Sequence, residues 1–281
     1  MLAMAIGSGY DKFTSWVDGI YGFLSTAITN ALDVLNKPIS AEVLSTISSG
    51  INGIAYAVVG LLFAVEMLSV LLDKGEDLRW TDGIVVGMKA VISKEIVSWA
   101  SLFMDAVFGL VASAMPSTNA TDKAELESQI MQIAAGYNEG FEKEEGFANL
   151  VTNIVNFASC ILPVSLVLIT ALLIMVMAYA RGFELSILKS LSPIAYSFLP
   201  FKGTQDIAKR YTLNFAGVCL QAIVIALCVY LYVGLQKDLY TECIDNGGGM
   251  DKYKFESLVY AILLVFGMIS SGKWAKTVVG V

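Results

Sequence analysis

Two apolar runs without a charge, Val155 to Ala180 and Leu213 to Leu235, stand on either side of a segment holding Arg181, Lys189, Lys202, Lys209 and Arg210. About 20 apolar residues rising 1.5 Å each match a hydrocarbon core of roughly 30 Å, and only a helix crosses it with its backbone groups paired internally. The two runs therefore read as a membrane hairpin. Cytoplasmic loops collect Lys and Arg, which places the basic connection, residues 181–212, inside the cell.

Composition extends this reading to the whole chain. Hydrophobic residues make up 56% and charged residues 15%, with a mean hydropathy of +0.69. Soluble domains average roughly 45–50% apolar and 25% charged residues, so the expected fold class is all-α, a polytopic helical membrane protein. The net charge of −7 is sorted rather than spread, with acids gathered in some loops and cations in others; such sorting carries topology.

Catalytic chemistry finds little to stand on. Histidine is absent, which removes the commonest general base and the commonest metal ligand. Cys160, Cys219, Cys228 and Cys243 show no C-x-x-C spacing, and three lie in apolar runs, where a thiol behaves as a small hydrophobe. Ser271-Gly272-Lys273-Trp274 lacks the leading Gly and the Ser or Thr of a phosphate-binding loop, and the acidic loops lack EF-hand spacing. No catalytic, cofactor-binding or metal-ligating residue is assigned, and the chain is not expected to be an enzyme.

Taken in order, residues 1–50 form an external amphipathic segment. Apolar residues at 13, 16, 17, 20, 23, 24, 27, 28, 31, 32 and 35 make a helical stripe, with Asp11, Asp18, Ser25, Thr29 and Asp33 off it, which suits a helix lying on the membrane or packed on a partner. Lys37-Pro38 should end it. No cleavable leader pattern precedes it, so insertion is expected to be driven by the internal spans.

The transmembrane bundle occupies 51–281, with spans at about 51–72, 96–115, 155–180, 213–235 and 258–272. In the first, Gly53, Ala57, Gly60 and Ala64 form a small-residue stripe that lets another helix approach closely. Glu66 in the same span is costly in lipid, so it is either functional or tied to a neighbouring helix. The pattern from Ile84 to Met115 is helical but about 48 Å long; its first half is read as a cytoplasmic extension and only 96–115 as membrane. Lys94, Ser98, Ser101 and Asp105 share one face there, lining either water or a polar interhelix seam, and Asp105 could meet a cation from a neighbour.

Residues 116–149 form an acidic external loop. Within it Asp122 and Glu125 suggest a capping box for a short helix bearing Leu126, Ile130, Ile133 and Ala134 on one side and Gly136 near its end. Pro163 should kink the third span, and Pro193 and Pro200 should break the apolar stretch from Phe183 to Phe201. The second acidic loop, from Gln236 to Ser257, holds Gly247-Gly248-Gly249 and is external as well. Five spans then leave the N-terminus outside and the C-terminus in the cytoplasm.

The Ser-Pro-Ile-Ala segment at Ser192 to Ala195, followed by Lys209-Arg210-Tyr211, Asn214-Phe215 and Gln221, resembles the TrbL family, the polytopic inner-membrane subunits of type IV secretion systems equivalent to the sixth VirB component. The likeness is strongest over Val155 to Leu235. Lys-Pro-Ile-Ser at 37–40 is similar to versions carried by conjugative elements of Gram-positive bacteria. The resemblance implies a non-enzymatic channel or scaffold subunit in the cell membrane that forms a homo-oligomer. It further implies work beside other type IV secretion subunits, including ATPases, and passage of single-stranded DNA with its bound relaxase. Alternatives of other classes are a small-solute secondary transporter, for which no internal repeat is found, and a structural or holin-like assembly protein.

Overall fold

The computed structural model describes residues 2–36, 42–75, 79–115, 120–139, 147–245 and 249–280. Among the described residues 94% are helical and none forms a strand. The helices are α1 (Leu2–Asn36), α2 (Glu42–Lys74), α3 (Trp80–Ala112), α4 (Ala120–Glu139), α5 (Phe147–Ser197), α6 (Gln205–Tyr240) and α7 (Met250–Val279). Five carry stretches long and apolar enough to cross a membrane: Ser49–Lys74, Trp80–Ala112, Cys160–Ser197, Gln205–Cys243 and Lys252–Val279. Each contains or overlaps one span read from the sequence. Lys37-Pro38, the rest of the 37–40 segment, Gly247-Gly248 and residues 140–146 of the acidic loop lie outside the described residues.

The chain divides into two compact units. The first comprises residues 1–36, 116–180 and 224–271. Its α1 packs along α4, so the amphipathic stripe has a partner within its own chain. Nine stripe residues, from Phe13 to Leu35, are buried, whereas Trp16 and Phe23 stay exposed. Two acids placed off the stripe make the polar contacts: Asp33 pairs with Lys123 at 2.7 Å, and Asp18 accepts a hydrogen bond from Asn138 Nδ2 at 3.0 Å.

In α4 the predicted apolar face, Leu126, Ile130, Ile133 and Ala134, is buried throughout. The helix begins earlier than the capping pattern suggests, at Ala120, so Asp122 sits in the first turn rather than at the cap; there its charge complements the positive end of the helix dipole. Gly136 is where α4 meets two tyrosines. A Cβ built on it would lie 2.9 Å from Tyr240 Cδ2 and 3.0 Å from Tyr253 Cζ.

Around that glycine lies a buried tyrosine cluster. Tyr137 Oη donates to Ser257 Oγ at 2.8 Å, Gln236 Nε2 donates to the same oxygen at 3.1 Å, and Tyr253 Oη donates to the Ile133 carbonyl at 2.9 Å. The Tyr137 ring lies 5.1 Å from that of Tyr253 and 5.9 Å from that of Tyr21. Burial raises the Tyr21 hydroxyl well above its ordinary value. It also pushes Tyr137 up to about 12, although the hydrogen bond with Ser257 pulls the other way.

An unfolded tyrosine ionises near pH 10, whereas the buried ones stay neutral, so their stabilisation is intact below pH 10 and is lost as pH rises towards 12. The melting temperature should accordingly stay level to about pH 9.5 and fall beyond it. Tyr137→Phe should shallow that fall while lowering stability at neutral pH by about 1 kcal/mol for the lost hydrogen bond. Equal alkaline slopes in wild type and variant, followed by tryptophan fluorescence, would count against this assignment.

The second unit comprises residues 37–115, 181–223 and 272–281. Here the structure corrects the reading of 181–212 as a loop: α5 continues to Ser197 and α6 starts at Gln205, leaving only 198–204 as turns. Pro193 does not break the helix. It cannot donate to the carbonyl four residues back, but Ser192 Oγ donates to that same Lys189 carbonyl at 2.7 Å, so the acceptor orphaned by the ring is satisfied from the side chain. Pro200 falls in the turn, as predicted. Met115 and the two residues before it have left α3, which ends at Ala112. Pro163 likewise lies within the continuous α5.

Candidate functional site

The site begins with the α2–α3 hairpin. Gly75, at φ +49°, follows the last residue of α2 in the left-handed conformation that ends helices. Asp82 then accepts the Arg79 backbone N–H at 3.2 Å and pairs with Lys74 at 2.7 Å, closing the hairpin. Residues roughly equidistant from position 78 now face one another. Lys89 pairs with Glu66, and Ala55 and Val59 pack with Val97.

Glu66 is thus tied to a neighbouring helix by an ion pair. Its side chain is 19% exposed and that of Lys89 23%. The hydrogen bond uses Oε1; Oε2 is buried without a partner among the described residues.

On α3, Asp105 pairs with Lys189 of α5 at 2.7 Å. About three turns towards the hairpin, Ser93 Oγ donates to the Ser197 carbonyl at 2.9 Å, at the very end of α5. These two bonds hold the end of α5 along α3. The apolar seam between them contains Ala100, Met104, Phe108, Leu185 and Tyr196, joined by Phe215, Val218 and Cys219 of α6.

The Ser-Pro-Ile-Ala segment lies at this junction. Ser192 repairs the helix at Pro193, Ile194 packs on the Ala55–Val59–Val97 cluster, and Ala195 is buried. Tyr211 Oη reaches the Leu188 carbonyl, and Tyr196 and Thr212 share a hydrogen bond of 2.7 Å. Of the residues that carried the family resemblance, Ser192, Ile194, Tyr211 and Phe215 thus lie where α5 meets α6 and α2.

The remaining candidates divide. Lys94 and Ser98 are exposed, Ser101 is half-buried and Asp105 is exposed despite its partner; Ser98 Oγ turns back to the Glu95 carbonyl at 2.7 Å. Apart from the Asp105–Lys189 pair and half-buried Ser101, this polar stripe is left uncovered by the described residues. Gly53, Ala57, Gly60 and Ala64 are also exposed, and nothing lies within 4 Å of a Cβ built at Gly53 or Gly60. The α2–α3 contact uses Ala55 and Val59 instead, and among the described residues the small-residue stripe packs against no other helix.

Sequence reasoning missed Lys89 and Lys189 as partners of the two membrane acids. A signal was present for the first: a short link between two helical patterns places residue 89 opposite residue 66. Among the described residues no group of three or more His, Cys, Asp and Glu could hold a metal ion, and the contacts of the site described above are ion pairs, hydrogen bonds to hydroxyl, carbonyl and carboxylate oxygens, and apolar packing. Such an arrangement holds helices together and presents a polar surface.

No curated protein and no solved structure matches the chain. One family model does, over residues 73–271, a range that includes Lys89, Asp105, Lys189 and the α5–α6 junction but leaves out Glu66 and the small-residue stripe. On that match the chain, five of whose described helices are long and apolar enough to cross a membrane, belongs to the TrbL/VirB6 plasmid conjugal transfer protein family and is a multi-pass membrane subunit of conjugal transfer.

Proposed function

We propose that this subunit forms or scaffolds the channel through which a conjugative machine passes single-stranded DNA with its bound relaxase across the cytoplasmic membrane. Family membership supports a place in the machine. The observation that supports a channel role is the exposed stripe of Lys94, Ser98 and Asp105 on α3, a helix otherwise apolar enough to cross a bilayer. Polar and charged groups in such a helix face water or another polar surface, because lipid penalises them. Several copies arranged around that stripe would enclose an aqueous path, and the exposed Gly53–Ala64 stripe of α2 would serve the contact between copies.

In this reading the N-terminus faces outwards and the C-terminus the cytoplasm, as the charge distribution requires. Other type IV secretion subunits and their ATPases supply the energy, and this chain performs no catalysis. Asp105→Ala should lower transfer frequency in a mating assay by about tenfold or more, as the loss of roughly 1.4 kcal/mol at one step implies, with the amount in the membrane fraction unchanged. Full transfer by Asp105→Ala and by a Lys94→Ala, Ser98→Ala double variant would remove the stripe from the pathway.

A further inference from the structure

Beside the α3–α5 seam lies a groove of about 1050 Å³, walled by α3 from Val91 to Ala106, by Tyr196 and Leu199, and by Ala208 to Leu213 of α6. We propose that it binds a glycerophospholipid with an anionic headgroup, one acyl chain lying along α3 and the phosphate at Lys209.

Shape and polarity favour an acyl chain. The α3 wall is about 22 Å long at 1.5 Å per residue, and Ile96, Trp99, Phe103 and Leu213 are among the apolar side chains that line the groove. The two hydroxyls in the wall are already engaged. Tyr196 and Thr212 bond to each other at 2.7 Å, and Thr212 also meets the Ala208 carbonyl at 2.9 Å. A polar ligand would find few open partners here, and water has little reason to stay in an apolar space of this kind. Left empty, the walls would forgo dispersion contacts along their whole length.

Charge complementarity favours an anionic headgroup. Lys209 lines the groove in the first turns of α6; Arg210, next in the chain, and Lys202, in the turn that precedes α6, are exposed. Against these three cations stand Glu95 in the lining and Asp206, whose carboxylate is 3.7 Å from Lys209. The balance is positive at the end of α6 that begins a membrane span, where basic pockets between helices meet lipid phosphates. Trp99, exposed at the rim, suits the headgroup boundary.

The experiment uses the full chain purified in mild detergent, supplied with equal amounts of phosphatidylglycerol and phosphatidylcholine and examined by native mass spectrometry. Wild type should retain phosphatidylglycerol about fivefold over phosphatidylcholine, the equivalent of about 1 kcal/mol for one basic residue near a lipid phosphate. Lys209→Gln should bring the ratio close to one, and Ala106→Trp, which fills the groove from an exposed position, should abolish retention of both.

Retention of neither lipid by wild type overturns the proposal, as does an unchanged ratio in Lys209→Gln. If Ala106→Trp fails to fold, a photo-crosslinking residue at Leu102 in native membranes decides. Capture of phospholipid supports the groove as a lipid site, and capture of a protein helix in its place overturns it.

Discussion

Glu66→Lys is expected to cost more than any other single change proposed for this protein. The variant sets two ammonium groups against each other where wild type has an ion pair whose side chains are only 19% and 23% exposed. Removing one partner of a fully buried pair costs about 3–5 kcal/mol because the survivor is left charged and unpaired; for this part-buried pair the loss lies at the lower end, and a like charge adds repulsion. For a chain of this size that corresponds to a fall in melting temperature on the order of 10 °C, with reduced accumulation in the membrane fraction. The double variant Glu66→Lys, Lys89→Glu restores opposite signs across the same hairpin and should recover most of the loss. If the double variant were as unstable as the single one, the pair would not be what holds α2 to α3.

Gly136→Ala should also destabilise, although alanine normally improves a helix by about 1 kcal/mol over glycine. The new methyl group would stand 2.9 Å from Tyr240 Cδ2 and 3.0 Å from both Cζ and Oη of Tyr253. Tyr253 cannot give way easily, since it is fully buried and its hydroxyl is held by the Ile133 carbonyl at 2.9 Å. Overpacking of this kind costs about 1–3 kcal/mol, occasionally more, which outweighs the propensity gain. A melting temperature lower by about 2–8 °C is expected, and a larger drop for Gly136→Val. A variant as stable as wild type would mean that the tyrosines repack freely, contrary to the tight cluster they form.

These two sites differ in how much of them the chain's order of residues disclosed. Glu66 stood out because a lone acid in an apolar run is expensive wherever the run is placed. Its partner did not, since Lys89 was read with the cytoplasmic half of a long helix. Asp105 and Lys189 repeat the pattern, Lys189 having been assigned to topology. Gly136 was noticed only as a helix-end signal; its role depends on two rings more than a hundred residues away in the chain. Pro193 shows the reverse error. A local rule predicted a break, and a neighbouring hydroxyl supplied the missing bond.

What the sequence determined is whatever depends on one-dimensional quantities. Apolar length sets five helices able to cross a membrane, and 3.6-residue periodicity sets the buried faces of α1 and α4, because each property belongs to a single segment and needs no partner. Only the tertiary structure decided which residues meet. It paired Glu66 with Lys89 and Asp105 with Lys189, extended α5 through Pro193, and left the Gly53–Ala64 stripe and the Lys94–Asp105 face uncovered. Pairing depends on the register and rotation of whole helices against one another, and those are set by the sum of many contacts rather than by any one stretch of chain.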